Sequence, residues 1–155
     1  MSELHFLNEE LNRLASFTDK GDSIDKSISM ASVKWHLQHT LIVINKIIPA
    51  VEASDPKQFK PTFNFKRHLI FSLNKIPRGK GKAPKQVRPD GDISKEGIEK
   101  EIEKARGYLL KLNELDKNAF FNHPLFGDLN LKNTKRFLRL HTVHHLKIIE
   151  DIVGK

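Results

Sequence analysis

Apolar residues recur at steps of three and four along most of this chain, and this rhythm restricts the possible fold more than any other feature. It is clearest between residues 94 and 115, where Glu and Lys fill the positions between the apolar ones. The apolar positions are Ile98, Ile102, Ala105, Leu109 and Leu112. Because an α-helix has 3.6 residues per turn, this spacing places them on one helix face. No segment shows the alternation typical of a strand, so we predict an all-α fold.

The pattern predicts four substantial helices and one short helix. The first runs near residues 3–16, and the second runs from a cap at Ser32 until Pro49 ends or kinks it. The short third helix includes the apolar positions from Phe65 to Leu73 and stops before Pro77. The last two run over 94–115 and from a cap at Asn130 to about Val153. Residues 77–91 contain three prolines and three glycines, which predicts a long, cationic surface loop. Residues 120–127 are predicted to be an irregular connector. A chain of 155 residues suits one domain, so we expect residues 1–155 to form a single helical bundle with long loops.

The composition excludes several kinds of chemistry. The chain has no cysteine, so disulfides, thiolate metal sites and cysteine nucleophiles are excluded, and His, Asp and Glu remain as metal ligands. The start of the chain does not resemble a signal peptide, and no apolar run is long enough to span a membrane. We therefore expect a cytoplasmic protein without a membrane partner.

The basic charge is confined to one segment. The formal net charge is +8, but residues 57–89 hold ten Lys and Arg and no Asp or Glu, and the rest of the chain has 17 basic and 19 acidic residues. A nearly neutral body argues against nucleic acid as the main partner.

Histidines are the main candidates for a functional site. A heptad on the last helix gives an inward seam of Thr134, Leu138, His141, His145, Ile148 and Ile152. Residues four apart share a helix face, so His141 and His145 can reach one ion from the same side. From the second helix, either His36 or His39 can complete a triad, whereas His144 points about 100° away from His145. Three neutral imidazoles with open coordination positions are typical of catalytic zinc.

A simpler interpretation is that these histidines are hydrogen-bonded core residues. An inward-facing histidine usually has that role, and the spacing of His141 and His145 also arises by chance. Burying unpaired imidazoles costs free energy, however, so two on one seam call for a shared reason. His5, His68 and His123 have no such context and are interpreted as surface or packing residues.

Three segments resemble the signature blocks of a known family. They are residues 76–85 (IPRGKGKAPK), 123–129 (HPLFGDL) and 140–147 (LHTVHHLK), and they occur in the same order as in that family. The family is a domain-of-unknown-function branch of the DinB/YfiT-like superfamily of metal-dependent enzymes, and the resemblance spans roughly Ser32 to Val153. The chain departs from it at Thr134, where many relatives have Trp, and at His36, where relatives commonly have an apolar residue.

The resemblance implies a four-helix bundle, often dimeric, that binds a divalent ion such as zinc or nickel. Its metal ligands correspond to His39, His141 and His145 in this chain. Better-studied members of the superfamily use low-molecular-weight thiols. The leading hypothesis is thus a metal-dependent thiol S-transferase or hydrolase with a small-molecule substrate, although no general base can be named.

The loop cations have two interpretations. Arg78, Lys80, Lys82, Lys85 and Arg88 either hold an anionic substrate near the bundle or belong to a solvated loop.

Two competing functions remain open. One is a binding protein that uses the basic 57–89 segment for nucleic acid or an acidic partner. Its interleaved phenylalanines Phe59, Phe63, Phe65 and Phe71 fit core positions better. The other is a bundle that retains the histidines without any activity.

Overall fold

The computed structural model describes residues 2–154, and most of them are helical. The helices are α1 (Glu3–Ala15), α2 (Val33–Glu52), α3 (Phe65–Leu73), α4 (Lys95–Leu112) and α5 (Leu131–Val153). Two short strands, β1 (Phe120–His123) and β2 (Gly127–Asn130), lie between α4 and α5. The prediction of four long helices and one short helix is confirmed, and the prediction that the chain has no strands is wrong.

Side-chain caps fix where the long helices begin. The Ser32 hydroxyl accepts a hydrogen bond from the Trp35 N–H, and the Asn130 side chain accepts one from Asn133, as predicted for both caps. Ser94 caps α4 in the same way. Each cap satisfies a backbone donor that the helix leaves free, which stabilises the start by about 1 kcal/mol.

Helix α2 does not end at Pro49. The helix continues to Glu52 although Pro49 has no N–H to donate. Val51 beyond it is fully buried, and the Ala53 N–H donates to the Pro49 carbonyl at 2.9 Å. Burial of this last turn therefore outweighs the lost hydrogen bond.

The two strands form an antiparallel hairpin. Phe120 pairs with Asn130 and His123 pairs with Gly127. His123 Nδ1 accepts hydrogen bonds from the backbone N–H groups of Leu125 and Phe126, at 3.1 and 3.2 Å, and its ring stacks on Phe126. The histidine side chain thus stabilises the turn that joins the strands.

Four helices enclose the core. Helix α1 packs against α4 and α5, and α2 packs against the same two helices. On the α5 seam, Thr134 and Leu138 are fully buried. This packing brings the middle of α2 next to the middle of α5, where the predicted histidines lie.

Helix α3 lies at the periphery. Phe71 is the one residue of α3 that is buried, whereas Phe63 is 79% and Phe65 is 68% exposed. Phe59 is half-buried against Phe120. The prediction that these phenylalanines pack in the core is therefore wrong for Phe63 and Phe65.

The predicted loop follows α3 and contains one 3-10 turn, Lys85–Val87. Ile76, just before the loop, accepts a hydrogen bond from His144 of α5, and Val87 within the loop accepts one from His39 of α2. Within residues 2–154, no helix is both long and apolar enough to cross a bilayer.

Candidate metal centre

Helices α2 and α5 bring three imidazoles together. His39 comes from α2, and His141 and His145 come from consecutive turns of α5. One nitrogen from each ring lies within 4.8 Å of the others, so the three are close enough to bind one ion. The predicted proximity of His39 to the pair on α5 is confirmed.

The orientation of His39 is set by the loop. Its Nδ1 donates to the backbone carbonyl of Val87 at 2.7 Å, and its ring stacks on Trp35 with the centroids 5.0 Å apart. In a neutral imidazole with its proton on Nδ1, Nε2 carries the lone pair. That Nε2 lies 3.1 Å from His141 Nε2.

This separation matches that of two ligands on one ion. Nitrogens bound to zinc at about 2.0–2.1 Å in tetrahedral geometry lie about 3.3 Å apart. His39 Nε2 and His141 Nε2 are 3.1 Å apart, so little movement is needed for both to coordinate the same ion.

His145 is held through its Nδ1. Its Nδ1 lies 2.9 Å from Nδ1 of His36, and His36 Nε2 lies 3.0 Å from the Ser29 hydroxyl. Since Nδ1 of His145 is engaged by His36, Nε2 is the nitrogen left for an ion. Its ring centroid is 4.7 Å from that of His39 and 4.6 Å from that of His141.

Burial keeps the imidazoles in the neutral form that binds metal. It lowers the pKa of His39, and it lowers the pKa values of His141 and His145 well below the ordinary range, with further lowering from neighbouring histidines. The hydrogen bond to Val87 opposes this effect at His39. Burial likewise lowers the pKa of His36 to about 4. At neutral pH these rings offer lone pairs without a competing proton.

Within residues 2–154, the cluster of possible metal ligands contains histidines and no carboxylate. Three neutral donors leave a bound divalent ion with its full charge. The remaining coordination positions are then open to water or substrate, which is the pattern of catalytic zinc sites.

His141 argues against a purely structural role for the cluster. Its Nδ1 is buried and has no hydrogen-bond partner among the described residues. A histidine kept only for core packing is expected to satisfy both nitrogens, because an unpaired buried polar atom costs free energy. This ring is paired only through Nε2, on the side of the cluster.

The other histidines lie outside the three-ring cluster. His144 Nδ1 donates to the carbonyl of Ile76 at 3.1 Å, which agrees with its predicted weaker candidacy. His5 and His68 are exposed, and His123 stabilises the hairpin. The contact between His36 and His145 was not predicted, because sequence spacing shows only that His36 and His39 share a helix side.

The loop cations are exposed, and two of them are engaged. Arg78 forms an ion pair with Asp151 at 2.7 Å, and Arg88 donates to the Ala83 carbonyl at 2.6 Å. For the ammonium groups of Lys80, Lys82 and Lys85, the described residues provide no hydrogen bond or ion pair. Anion binding by these five residues stays a prediction.

A surface cleft of about 370 Å³ lies between α2, α4 and the end of the loop. Gln38, Asp90 and Glu101 are among its lining residues, and none of the three clustered histidines is. The cleft is therefore separate from the candidate metal centre.

No protein-family model, curated protein or solved structure matches this chain. The functional conclusion therefore depends on the geometry of the site and on the sequence blocks described above.

Proposed function

We propose that the protein is a metal-dependent enzyme of the DinB/YfiT-like type, with one divalent ion held by His39, His141 and His145. The observation that carries this proposal is the convergence of three neutral imidazoles, from two helices distant in sequence, within 4.8 Å. Zinc and nickel are the favoured ions, because the resemblance implies one of them and both accept imidazole ligands.

The arrangement around the site supports membership of that superfamily. The block at 140–147 contains the two histidines from α5, the block at 123–129 forms the hairpin turn, and the block at 76–85 begins the loop that contacts His144. The pairwise packing of the four long helices is compatible with a DinB-like four-helix bundle. A homodimer belongs to the same proposal.

The proposed reaction is thiol S-transfer or hydrolysis of a small-molecule substrate. A bound divalent ion supplies positive charge that lowers the pKa of a thiol or a water molecule. At neutral pH the three imidazoles are uncharged, so each ring has one nitrogen with a lone pair. The cations Lys80, Lys82 and Lys85 are then available to bind an anionic substrate or a low-molecular-weight thiol, because they have no partner within residues 2–154.

Elemental analysis tests the proposal. Wild-type protein purified without a metal-binding tag should carry about one zinc or nickel per chain. His39→Ala and His145→Ala should each lose most of it, whereas His68→Ala, an exposed histidine outside the cluster, should retain it. Full metal content in both cluster variants, with a native circular dichroism spectrum, would refute the assigned triad.

One observation favours the competing function of a binding protein. Phe63 and Phe65 are largely exposed within a segment that has ten basic residues and no acidic ones. Exposed aromatic and cationic side chains together suit nucleic acid or an acidic partner.

Fluorescence anisotropy with labelled single-stranded DNA separates the two functions. Binding through residues 57–89 should weaken steeply with salt, survive chelation, and fall in a Phe63→Ser/Phe65→Ser variant. Leu110→Ser is a matched control, because Leu110 is a similarly exposed apolar residue on α4. A metal-dependent activity should instead disappear with a chelator and return with metal.

A further inference from the structure

Three side chains form a hydrogen-bonded chain that ends at a proposed metal ligand. The Ser29 hydroxyl lies 3.0 Å from His36 Nε2, and His36 Nδ1 lies 2.9 Å from His145 Nδ1. His36 and His145 are 4% and 7% exposed, so solvent does not replace these contacts. The Ser29 hydroxyl also accepts a hydrogen bond from the Ala31 N–H at 3.1 Å, which fixes its position.

The hydrogen-bonded chain of Ser29, His36 and His145 has two possible proton arrangements, because a hydrogen bond between two neutral Nδ1 atoms needs one proton. In the first, His145 Nδ1–H donates to His36, and His36 Nε2–H donates to Ser29. In the second, both bonds are reversed, and the proton of His145 moves to Nε2. Only the first arrangement leaves Nε2 of His145 with a lone pair for an ion.

We propose that His36 is a positioning residue of the metal centre, which accepts the Nδ1–H of His145 and is itself oriented by Ser29. This inference rests on the proposed metal site. It gives His36 the role that the Val87 carbonyl has for His39, since both hold the Nδ1 of a ligand and direct its Nε2 to the cluster.

The nature of the acceptor matters for the chemistry. Metal-binding histidines often donate to a carboxylate, which adds negative charge and makes the ligand more basic. Here the two acceptors are an imidazole and a backbone carbonyl, both uncharged at neutral pH. The site therefore orients its ligands without lowering the positive charge that activates a bound thiol or water.

The same contacts argue against His36 as a ligand. Both of its nitrogens are engaged, one by His145 and the other by Ser29. His144 differs from His36 in this respect. Its ring also lies near that of His145, with the centroids 4.9 Å apart, but its Nδ1 donates to the carbonyl of Ile76 and not to His145.

Zinc affinity of the full-length protein, measured by competition with a chromophoric chelator, tests the role of His36. His36→Leu introduces an apolar side chain of similar size that cannot accept a hydrogen bond from His145. We expect this variant to bind zinc about 10- to 100-fold more weakly. His36→Asn should recover part of the loss, since an Asn side chain oxygen can take the place of Nδ1. His144→Leu is the matched control, expected to stay within about threefold of the wild type.

A spectroscopic measurement isolates positioning from packing. In zinc-loaded wild-type protein, imidazole 15N NMR should show His145 protonated at Nδ1, with slow exchange of that proton. The Nδ1 proton of His145 should exchange faster in His36→Leu and in Ser29→Ala. Ser29→Ala is the milder change because it retains His36, so it tests the proposal even if His36→Leu does not fold.

The outcomes separate the two proposals. Unchanged affinity and proton exchange in His36→Leu, or equal losses in His36→Leu and His36→Asn, would overturn the positioning role while the metal site stands. Loss of stoichiometric zinc in His36→Leu, as in His39→Ala, would make His36 a ligand and also overturn it. A wild-type protein that binds no zinc or nickel would remove the proposed function itself, and this inference with it.

Discussion

The two nitrogens of His39 have different tasks, and this division is what makes the ring a suitable ligand. Nδ1 donates to the Val87 carbonyl, so Nε2 presents its lone pair toward His141. His145 is held at Nδ1 by His36 in a comparable way. His141 lacks such a partner, and its buried Nδ1 remains unpaired among the described residues.

His141→Leu should abolish metal binding and change the stability of the metal-free fold only slightly. The change removes the unpaired buried Nδ1 of His141, but it also leaves Nε2 of His39 without a partner, so the two effects oppose each other. We expect the free energy of unfolding to stay within about 1 kcal/mol of the wild type. Urea denaturation in the presence of a chelator measures it, and a loss above about 2 kcal/mol would show that His141 is a well-satisfied core residue.

Residue spacing predicted the pair His141 and His145, and the family resemblance selected His39 rather than His36, but neither predicted the groups that orient these rings. An i, i+4 pair on an amphipathic helix is visible in the sequence as His141 and His145. The acceptor for His39 is the backbone carbonyl of Val87, which any residue type provides, and no sequence pattern marks it. His36 and His145 are 109 residues apart, so their contact depends on how α2 and α5 pack.

The two strands of the hairpin could not be predicted from the sequence pattern. Each strand has four residues, too few for an alternating pattern to stand out, and the pairing joins residues on both sides of a turn. A side chain stabilises that turn, since His123 accepts two backbone hydrogen bonds and its ring lies 4.7 Å from that of Phe137 on α5. The hairpin thereby packs against the helix that carries His141.

His123→Ala should lower the free energy of unfolding by about 1–3 kcal/mol. The change leaves two backbone N–H groups without their acceptor and removes the ring stacked on Phe126. Chemical denaturation measures the loss, with His68→Ala as an exposed control that should change stability by less than about 0.5 kcal/mol. Equal stability of the two variants would mean that the turn forms without the histidine.

The long helices could be predicted because their information is local. Each of α1, α2, α4 and α5 has a cap and a periodic apolar face within its own sequence. The exposure of Phe63 and Phe65 could not be predicted, since a short amphipathic segment does not reveal whether a partner covers its apolar face. These exposed aromatic residues within a basic segment instead mark residues 57–89 as the main candidate for a contact with another molecule.

For the whole molecule, the buried histidines couple folding to pH. Burial lowers the pKa of His36 and of His123 to about 4, and it lowers the pKa values of the three clustered histidines as well. An unfolded chain has ordinary histidine pKa values near 6.5, so below that pH it binds protons that the folded protein does not.

The metal-free protein should therefore become less stable as the pH falls from about 6.5 to about 4. Each histidine that is neutral when folded contributes a slope of up to about 1.4 kcal/mol per pH unit in that window. Above pH 7 the contribution should vanish, because the imidazoles are neutral in both states. Urea denaturation at pH 7 and pH 5 measures the difference in the free energy of unfolding. His141→Leu should reduce this difference. Identical pH dependence in the variant and the wild type would show that His141 is not held neutral.

X-ray absorption spectroscopy of the zinc-loaded protein tests the central claim most directly, because it counts the imidazole ligands of the ion. We predict three imidazole nitrogens at about 2.0–2.1 Å and one or two further light-atom ligands from solvent. His39→Ala should show two imidazoles at most. A spectrum with one imidazole or none in the wild-type protein would contradict a metal centre built from His39, His141 and His145.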